Sequence, residues 1–159
     1  VYPEIFKNQD LTEKITRKEF AHVAVKLYEK LTGQKAIEVA KNPFTDTDDV
    51  EVLKAYNIGI TSGTSTTTFT PDALITREQM ARMIENALTK SGIDTSVDLE
   101  KVAKFDDDNL MNDWSRGAIY FMSGKEIIKG MGNNLFGVQD HATREQAMII
   151  SGKCARENW

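Results

Sequence analysis

The sequence has one cysteine, two histidines, no long apolar run and no excess of basic residues, and each absence excludes a class of protein. One cysteine cannot form an internal disulfide, and three scattered Cys and His residues are too few for the usual zinc sites. The longest apolar runs are about four residues, as at 147–150, whereas a membrane-spanning helix needs about 20. A net charge of −4 and a pI near 5.3 argue against a general nucleic-acid binder. We therefore expect no metal, cofactor, nucleic acid or membrane insertion.

The 159 residues, 40% apolar and 28% charged, suit one ordinary domain or a few small repeated units. The chain begins with Val1 and not with methionine, and its first ten residues have neither the basic start nor the apolar core of a secretion signal. We expect a fragment or a processed product of a longer protein.

A Thr-Arg motif occurs three times, as ITRKEF, ITREQM and ATREQA, with arginines at positions 17, 77 and 144. A shift of 67 positions places the second copy on the third without a gap from Gly63 to Thr76. Self-similarity at such intervals is typical of repeat proteins. We predict a partial first unit, two further units and two connectors, at 1–32, 43–91, 104–158, 33–42 and 92–103.

Each motif predicts the start of a helix, because its threonine is followed three residues later by Glu or Gln. In such a capping box the threonine oxygen accepts one first-turn amide, and the Glu or Gln accepts the threonine's own amide. The three pairs are Thr16 with Glu19, Thr76 with Gln79, and Thr143 with Gln146. Apolar residues then recur at helical spacing, which predicts one buried stripe per helix. The stripes are Phe20, Val23, Ala24, Leu27 and Tyr28; Met80, Met83, Ile84, Ala87 and Leu88; and Ala147, Ile150, Ser151, Cys154 and Ala155.

A shorter helix is predicted ahead of the second and third motifs, at 49–57 and 113–125, with Asp49 and Asp113 as N-caps. Loops rich in Gly, Asn, Thr and Pro join each short helix to the long one. Each loop contains one central aromatic residue, which we expect to hold the loop against the core.

The ordered set of recurring residues resembles the S-layer homology domain, a module that usually occurs in threes. In that family a unit reads Phe-x-Asp, Trp-Ala, Ala-Ile, a Gly-Ile followed closely by Gly, Phe-x-Pro-Asp, and then Ile-Thr-Arg-Ala-Glu. The second copy matches with Phe44, Asp46, Gly59, Ile60, Gly63, Phe69, Pro71, Asp72, Ile75, Thr76, Arg77 and Gln79. The third matches with Phe105, Asp107, Trp114, Ala118, Ile119, Ile127, Gly130, Phe136, Thr143, Arg144 and Gln146.

Several positions depart from the family pattern. Thr47 replaces the tryptophan of the second copy, while Glu126 and Val138 replace a glycine and the proline of the third. The first copy resembles the family only from about position 10 to 28, so we expect its first helix and glycine loop to precede Val1.

The resemblance implies a mostly all-α fold in which helix-loop-helix units form a pseudo-threefold assembly with grooves between neighbours. It also implies an extracellular location at the cell wall of a bacterium, typically Gram-positive, and non-covalent anchoring through a secondary cell-wall polysaccharide. The anionic groups of that polymer, often pyruvate ketals, are implied to meet the motif's arginine.

The motif's arginines, Arg17, Arg77 and Arg144, are expected at the first position of each long helix. A cation there opposes the helix dipole at a cost of about 0.3–1 kcal/mol, so a specific role is expected. One role is anion capture, since free helix amides and a guanidinium fork together suit a carboxylate or phosphate. In the alternative, each arginine bonds a carboxylate of the neighbouring unit and locks the units together. Both roles stay open.

Three other residues are candidate ligand contacts. Gly63 and Gly130 either serve the turn geometry or allow a ligand to approach the backbone. Trp114 is either a core anchor or a flat surface for a sugar ring.

The acidic clusters at 46–49 and 106–108 lack the spacing of a calcium loop, so we expect them to cap helices and face solvent.

No catalytic constellation is recognisable, so the chain is not expected to be an enzyme. His22 and His141 have no recurring Ser or Asp partner, and Cys154 aligns with the buried stripe as a small core residue.

The alternative to polysaccharide binding is a protein-interaction or structural module of the cell surface. In that case a missing first helix would expose Val23 and Leu27, through which a second copy could associate.

Overall fold

The computed structural model describes residues 3–159, and within them the fold consists of five α-helices and two short 3-10 helices, without a strand. The α-helices are α1 (Arg17–Thr32), α2 (Val50–Ile58), α3 (Arg77–Lys90), α4 (Asp113–Gly124) and α5 (Arg144–Arg156). The 3-10 helices are Glu4–Phe6 and Asp108–Leu110. The prediction of a mostly all-α fold is confirmed.

The long helices α1, α3 and α5 all begin at the arginine of the repeated motif, and each has a complete capping box. The two reciprocal hydrogen bonds of each box measure between 2.9 and 3.2 Å. The predicted boxes and the first-position arginines are confirmed.

The short helices differ in their caps. Asp49 caps α2 as predicted and accepts the Val52 amide at 3.0 Å. The N-cap of α4 is Asn112, so the prediction of Asp113 is wrong by one residue. The Asn112 side chain makes no capping bond, and its Nδ2 instead donates to the Glu78 carboxylate at 3.0 and 3.1 Å.

The three Thr-Arg segments meet in a closed ring. Each threonine forms a single antiparallel bridge with the residue two positions before the threonine of the next unit, in the pairs Thr16 with Leu74, Thr76 with His141, and Thr143 with Lys14. Since the third unit pairs back onto the first, the ring closes. The pseudo-threefold arrangement is thus present in the backbone.

Two of the long helices pack on the short helix of the following unit. α1 packs on α2, and α3 packs on α4. α1 also contacts α3, α5 and the 3-10 helix Glu4–Phe6. The loop aromatics Phe69 and Phe136 are fully buried, as expected. The predicted stripes are buried except Tyr28, Ser151 and Ala155, which are partly exposed.

The predicted exposure of Val23 and Leu27 is wrong, because each is only 1% exposed. α1 lies at the centre of the assembly, where α5 and the segment at Pro3 come close to these two side chains. Association of two copies through Val23 and Leu27 therefore has no support.

Candidate ligand site at the interfaces between units

The first-turn amides of the long helices are already engaged. The amides of Arg17 and Lys18 donate to the carbonyls of Ala73 (2.8 Å) and Pro71 (3.0 Å) in the second unit. The equivalent pairs are Arg77 with Asp140, Glu78 with Val138, Arg144 with Glu13, and Glu145 with Leu11. The third amide of each helix donates to its threonine cap. Anion capture by free amides, one part of the sequence hypothesis, is therefore wrong for these three amides.

Arg17 and Arg77 lie on the loop aromatic of the next unit. The Arg17 Nε donates to the Phe69 carbonyl at 2.8 Å, and its guanidinium carbon lies 4.7 Å from the centre of that ring. Arg77 repeats this on Phe136, at 2.9 and 4.8 Å, and its Nη2 also donates to the Lys129 carbonyl. The cation–π contact and the bond together fix each guanidinium plane. We call these contacts the first and second interface.

Arg144 closes the third interface differently, because the first unit has Gln9 at the position of the loop phenylalanine. Its Nε lies 3.1 Å from both carboxylate oxygens of Glu19, its Nη2 lies 2.9 Å from one of them, and its Nη1 donates to the Asp10 carbonyl at 2.9 Å. Glu19 stands where the other boxes have glutamine. Bonding to a neighbour's carboxylate, the second alternative from the sequence, therefore holds for Arg144, while Arg17 and Arg77 bond backbone carbonyls.

The three arginines differ in the donors that remain. Among residues 3–159, both Nη atoms of Arg17 and the Nη1 of Arg77 have no hydrogen-bond acceptor, whereas every guanidinium nitrogen of Arg144 has one. Over the same residues, Glu51 Oε2 is the only fully buried side-chain nitrogen or oxygen without a hydrogen-bond partner. The unpaired Nη atoms of Arg17 and Arg77 are therefore not fully buried and touch solvent. Arg17 is only 5% exposed overall. The first interface therefore offers the most donors on an immobilised cation.

Arg17 is charged although burial lowers its pKa, because a guanidinium titrates far above neutral pH and the nearby Asp46 opposes the shift. Asp46 itself accepts the amides of Phe69 (2.9 Å) and Thr70 (2.8 Å). The Phe69 bond is the main cause that lowers the pKa of Asp46, against a smaller effect of burial. This carboxylate holds the loop and does not neutralise Arg17 by direct contact.

Asp107 performs the same task in the third unit. Its carboxylate accepts the amides of Phe136 (2.9 Å), Gly137 (2.9 Å) and Val138 (3.4 Å). Burial raises the pKa of Asp107, but these bonds outweigh it and the net shift is downward. Asp46 and Asp107, the aspartates of the two Phe-x-Asp motifs, thus hold the loops that contain Phe69 and Phe136.

The neighbouring acidic residues also have structural partners. Asp106 accepts from the Asn134 side chain at 2.8 Å, and Asp108 accepts the Tyr120 hydroxyl at 2.8 Å. Burial, followed by that bond, raises the pKa of Tyr120 to about 12. The described part of the chain contains no group of three or more His, Cys, Asp or Glu residues placed to hold a metal ion.

Gly63 and Gly130 lie under the aromatic ring of the Phe-x-Asp motif. Gly63 has a φ of 89°, and a Cβ added to it would lie 2.6 Å from Phe44 Cε1. A Cβ on Gly130 would lie 2.8 Å from the Leu135 oxygen and 3.0 Å from Phe105 Cε1. Turn geometry and close packing therefore explain Gly63, and close packing explains Gly130. The approach of a ligand to either glycine stays a prediction.

Trp114 is 48% exposed at the second position of α4, so it is not the core anchor that one sequence alternative expected. His22 lies 3.0 Å from the Asp49 carboxylate, and the His141 Nδ1 lies 2.9 Å from the Ile75 carbonyl. Cys154 is fully buried, which confirms its core assignment, and burial raises the pKa of its thiol to about 12. Sugar stacking by Trp114 stays a prediction.

Sequence reasoning missed the stacking of Arg17 and Arg77 on the phenylalanine of the next unit. A signal was present, since Phe69 and Phe136 each precede a motif arginine by eight positions. The first copy differs from the other two at two positions, since Gln9 replaces the loop phenylalanine and Glu19 replaces the glutamine of the capping box. Read together, these two differences indicate an interface of another kind at Arg144.

The sequence model of the S-layer homology domain matches residues 43–81 and 104–148, which together make up more than half of the chain. The chain belongs to the S-layer homology family. Domains of this family are non-catalytic modules that associate proteins with the cell surface and the cell wall. Among residues 3–159, no helix has the length and apolar character needed to cross a membrane.

Two relatives are named as enzymes. The chain is 31% identical over 91 residues to the exoglucanase XynX of Acetivibrio thermocellus, and 32% identical over 92 residues to an amylopullulanase of Thermoanaerobacterium thermosulfurigenes. Each match covers 54% of this chain but only 8% and 5% of the two relatives. The chain therefore spans less than a tenth of their length, and the enzyme names describe those much longer proteins.

Proposed function

We propose that this S-layer homology chain anchors a surface protein to the bacterial wall by binding an acidic secondary cell-wall polysaccharide, chiefly at the first interface. The carrying observation is Arg17, whose two Nη atoms have no acceptor among the described residues while its Nε bond and its ring contact hold the guanidinium plane. A carboxylate on the polymer would receive both Nη donors in a bidentate pair.

The position of Arg17 favours this pairing energetically. A cation that is 5% exposed lies in a medium of lower effective dielectric constant than water, so an incoming carboxylate gains more from it than from a surface lysine. The side chain is already immobilised, so little further conformational entropy is lost on binding. Because the chain carries a net charge of −4, long-range attraction does not assist the encounter.

Hydroxyl groups flank the first interface and supply neutral contacts for a sugar. Phe69, whose carbonyl binds Arg17, lies between Thr68 and Thr70. The Thr64 hydroxyl lies 2.7 Å from that of Thr70 and 3.1 Å from that of Thr68. Each hydroxyl both donates and accepts, as sugar recognition requires. Further proposed contacts of the polymer are Arg77, Gly63, Gly130 and Trp114. Arg144 is proposed chiefly to bind Glu19 and so to join the third unit to the first.

Binding to purified secondary polymer tests the proposal, with Arg17→Ala, Arg77→Ala and Arg144→Ala compared in parallel. Loss of a charge-assisted bidentate pair predicts a loss of affinity of about tenfold or more for Arg17→Ala and a smaller loss for Arg77→Ala. Arg144→Ala should lower thermal stability with little change in affinity. Circular dichroism confirms that each variant is folded before binding is measured.

Two controls separate the proposal from its alternative. Polymer whose carboxylates have been reduced to alcohols should bind wild-type protein as weakly as native polymer binds Arg17→Ala. Sedimentation with sacculi before and after removal of the polymer provides the second control. Equal binding to both would favour a protein-interaction or structural module, and a folded Arg17→Ala variant with full affinity would remove Arg17 from the site.

A further inference from the structure

Thr70, beside the first interface, has a backbone conformation that its side chain and its sequence neighbour both disfavour. Its φ is 58°, in the left-handed region, where a branched Cβ is unfavourable. It also precedes Pro71, and a residue before proline normally has an extended backbone. Among residues 3–159, no other β-branched residue has a positive φ. Two local preferences are therefore overridden at this one position.

Contacts on both sides of Thr70 impose this conformation. The Asp46 carboxylate accepts the amides of Phe69 at 2.9 Å and of Thr70 at 2.8 Å. The carbonyls of Phe69 and Pro71 accept from the Arg17 side chain at 2.8 Å and from the Lys18 amide at 3.0 Å. The backbone is thus fixed by hydrogen bonds within the second unit and to α1, which is how a strained residue persists in a folded protein.

The third unit shows that this loop does not need a side chain at the strained position. Gly137 occupies the position equivalent to Thr70, has a φ of 81°, and donates its amide to Asp107 at 2.9 Å. Glycine adopts such a conformation without the steric cost of a Cβ. Threonine therefore lowers stability at a position where glycine would serve the turn. A residue that costs stability in this way is a candidate for a functional role of its side chain.

The side chain of Thr70 presents an oriented hydroxyl at the first interface. Thr70 is exposed, and its hydroxyl lies 2.7 Å from that of Thr64. A hydroxyl has one donor and two acceptor sites, so the pair with Thr64 leaves Thr70 able to bond a further group. The preceding residue, Phe69, is the one that stacks on Arg17 and binds it through its carbonyl. The strained hydroxyl thus occurs at the interface whose arginine has the most unpaired donors.

We propose that Thr70 is a specificity-determining residue, whose hydroxyl binds a hydroxyl of the sugar while Arg17 binds its carboxylate. This inference rests on the proposed function, because it adds a neutral contact to the same site. The ligand class that follows is an acidic sugar with a free hydroxyl near its carboxylate. A site that pairs with such a hydroxyl discriminates against anions that lack it. The second interface has Gly137 at this position and lacks the contact.

The test measures the affinity of purified polymer for three variants by isothermal titration calorimetry. Thr70→Gly should raise the melting temperature by about 1–4 °C, because the strain is relieved. It should nevertheless weaken binding about three- to tenfold, as loss of one neutral hydrogen bond predicts. Thr70→Val keeps the branched shape without the hydroxyl and should lose as much affinity. Thr70→Ser keeps the hydroxyl and should bind within about twofold of wild type.

Thr66→Gly is the matched control, since it makes the same change at another exposed position of the loop and should leave the affinity unchanged. Wild-type affinity in a folded Thr70→Gly or Thr70→Val variant would overturn the proposal. If Arg17→Ala still weakened binding in that case, the proposed function would stand without Thr70. Full affinity in both the Thr70 variants and Arg17→Ala would reject the first interface as the ligand site.

Two further results would assign Thr70 to loop structure and so overturn the proposal. One is a loss of affinity in Thr70→Ser as large as that in Thr70→Gly. The other is weaker binding by Thr70→Gly together with a lower melting temperature. Opposite changes of stability and affinity in Thr70→Gly, with affinity retained in Thr70→Ser, are the expected result.

Discussion

Glu126 is a residue under local backbone strain. It has a φ of 57°, in the left-handed region, at the position where the second unit has Gly59 with a φ of 98°. That conformation costs a residue with a Cβ about 1–2 kcal/mol of free energy, whereas glycine adopts it without this cost. The Glu126 carbonyl accepts from Lys153, but its carboxylate has no hydrogen-bond partner among residues 3–159. The side chain is therefore dispensable for stability.

Glu126→Gly should raise the free energy of unfolding by about 0.5–1 kcal/mol, since relief of the strain exceeds the added flexibility of the unfolded chain. In a chain of this size the melting temperature should rise by about 1–4 °C, measured by differential scanning calorimetry. The reverse change, Gly59→Glu, should lower it. Equal melting temperatures for Glu126→Gly and wild type would show that φ at this position carries no strain.

Asp107 gives stability a dependence on pH. Its pKa is lowered in the folded state, so its contribution is complete above the pKa of an unfolded aspartate, about 3.9, and is lost as the pH falls through the lower folded value. Asp107→Asn should therefore be less stable than wild type at pH 7. The difference should shrink below about pH 4 in urea unfolding. Asp72→Asn, an exposed change with the same charge loss, should show neither effect.

Residue positions within a repeat were largely predictable, and contacts between repeats were not. The threonine caps and first-position arginines follow from local spacing, because a capping box involves residues only three apart. The partner of Arg17 is Phe69, 52 positions away, and no local pattern specifies which carbonyl a guanidinium will meet. Asn112 was missed as a cap because Glu78, on another helix, competes for its side chain.

At the scale of elements, Glu78 joins α3 to α4. It is 2% exposed and accepts bonds from Asn112, Ser115 and Gln139. Removing this acceptor leaves the buried Ser115 hydroxyl and the part-buried Asn112 amide without it, at about 1–3 kcal/mol for each group that cannot find water.

Glu78→Ala should therefore lower the free energy of unfolding by about 2–4 kcal/mol, measured by urea denaturation. Glu145→Ala is the matched control, because it changes the same position of α5, where the side chain is exposed. That control should stay within about 0.5 kcal/mol of wild type. Similar losses for the two variants would contradict a specific role of Glu78 in holding α4.

The pairing of helices was not visible in the sequence. Each unit appeared to be a self-contained helix-loop-helix, whereas α1 packs on α2 and α3 packs on α4 across the repeat boundary. Hydrophobic periodicity defines which face of a helix is buried but does not identify the helix that covers it. For the same reason the sequence places Val23 and Leu27 in a buried stripe but does not identify the elements that cover them.

At the scale of the whole molecule, the third interface adds an ion pair between Glu19 and Arg144 to the backbone bonds that close the ring. The two side chains are 9% and 13% exposed, so the pair is largely desolvated. Breaking one partner of such a pair leaves an uncompensated charge and is more destabilising than loss of a surface salt bridge.

A double-mutant cycle with Glu19→Gln and Arg144→Ala should give a coupling free energy of about 1–3 kcal/mol, measured by chemical denaturation. The same cycle with Arg82→Ala and Glu85→Gln, a pair within one helix whose arginine is 44% exposed, should couple by less than about 1 kcal/mol. Coupling no larger in the first cycle than in the second would show that the third interface does not depend on this pair.

The offset between sequence repeats and helix pairs determines where the chain can be divided. A cut in the connector at 33–42 or 92–103 separates α1 from α2 or α3 from α4 and exposes the apolar face that each pair shares. A cut in the loop at 61–74 leaves both pairs intact, and the two parts still share the contacts of α1 with α3 and α5. Chains cut in loops of this kind should therefore stay associated and folded, although the cuts fall inside the sequence repeats. Recombination that preserves folding should exchange segments at those same loops.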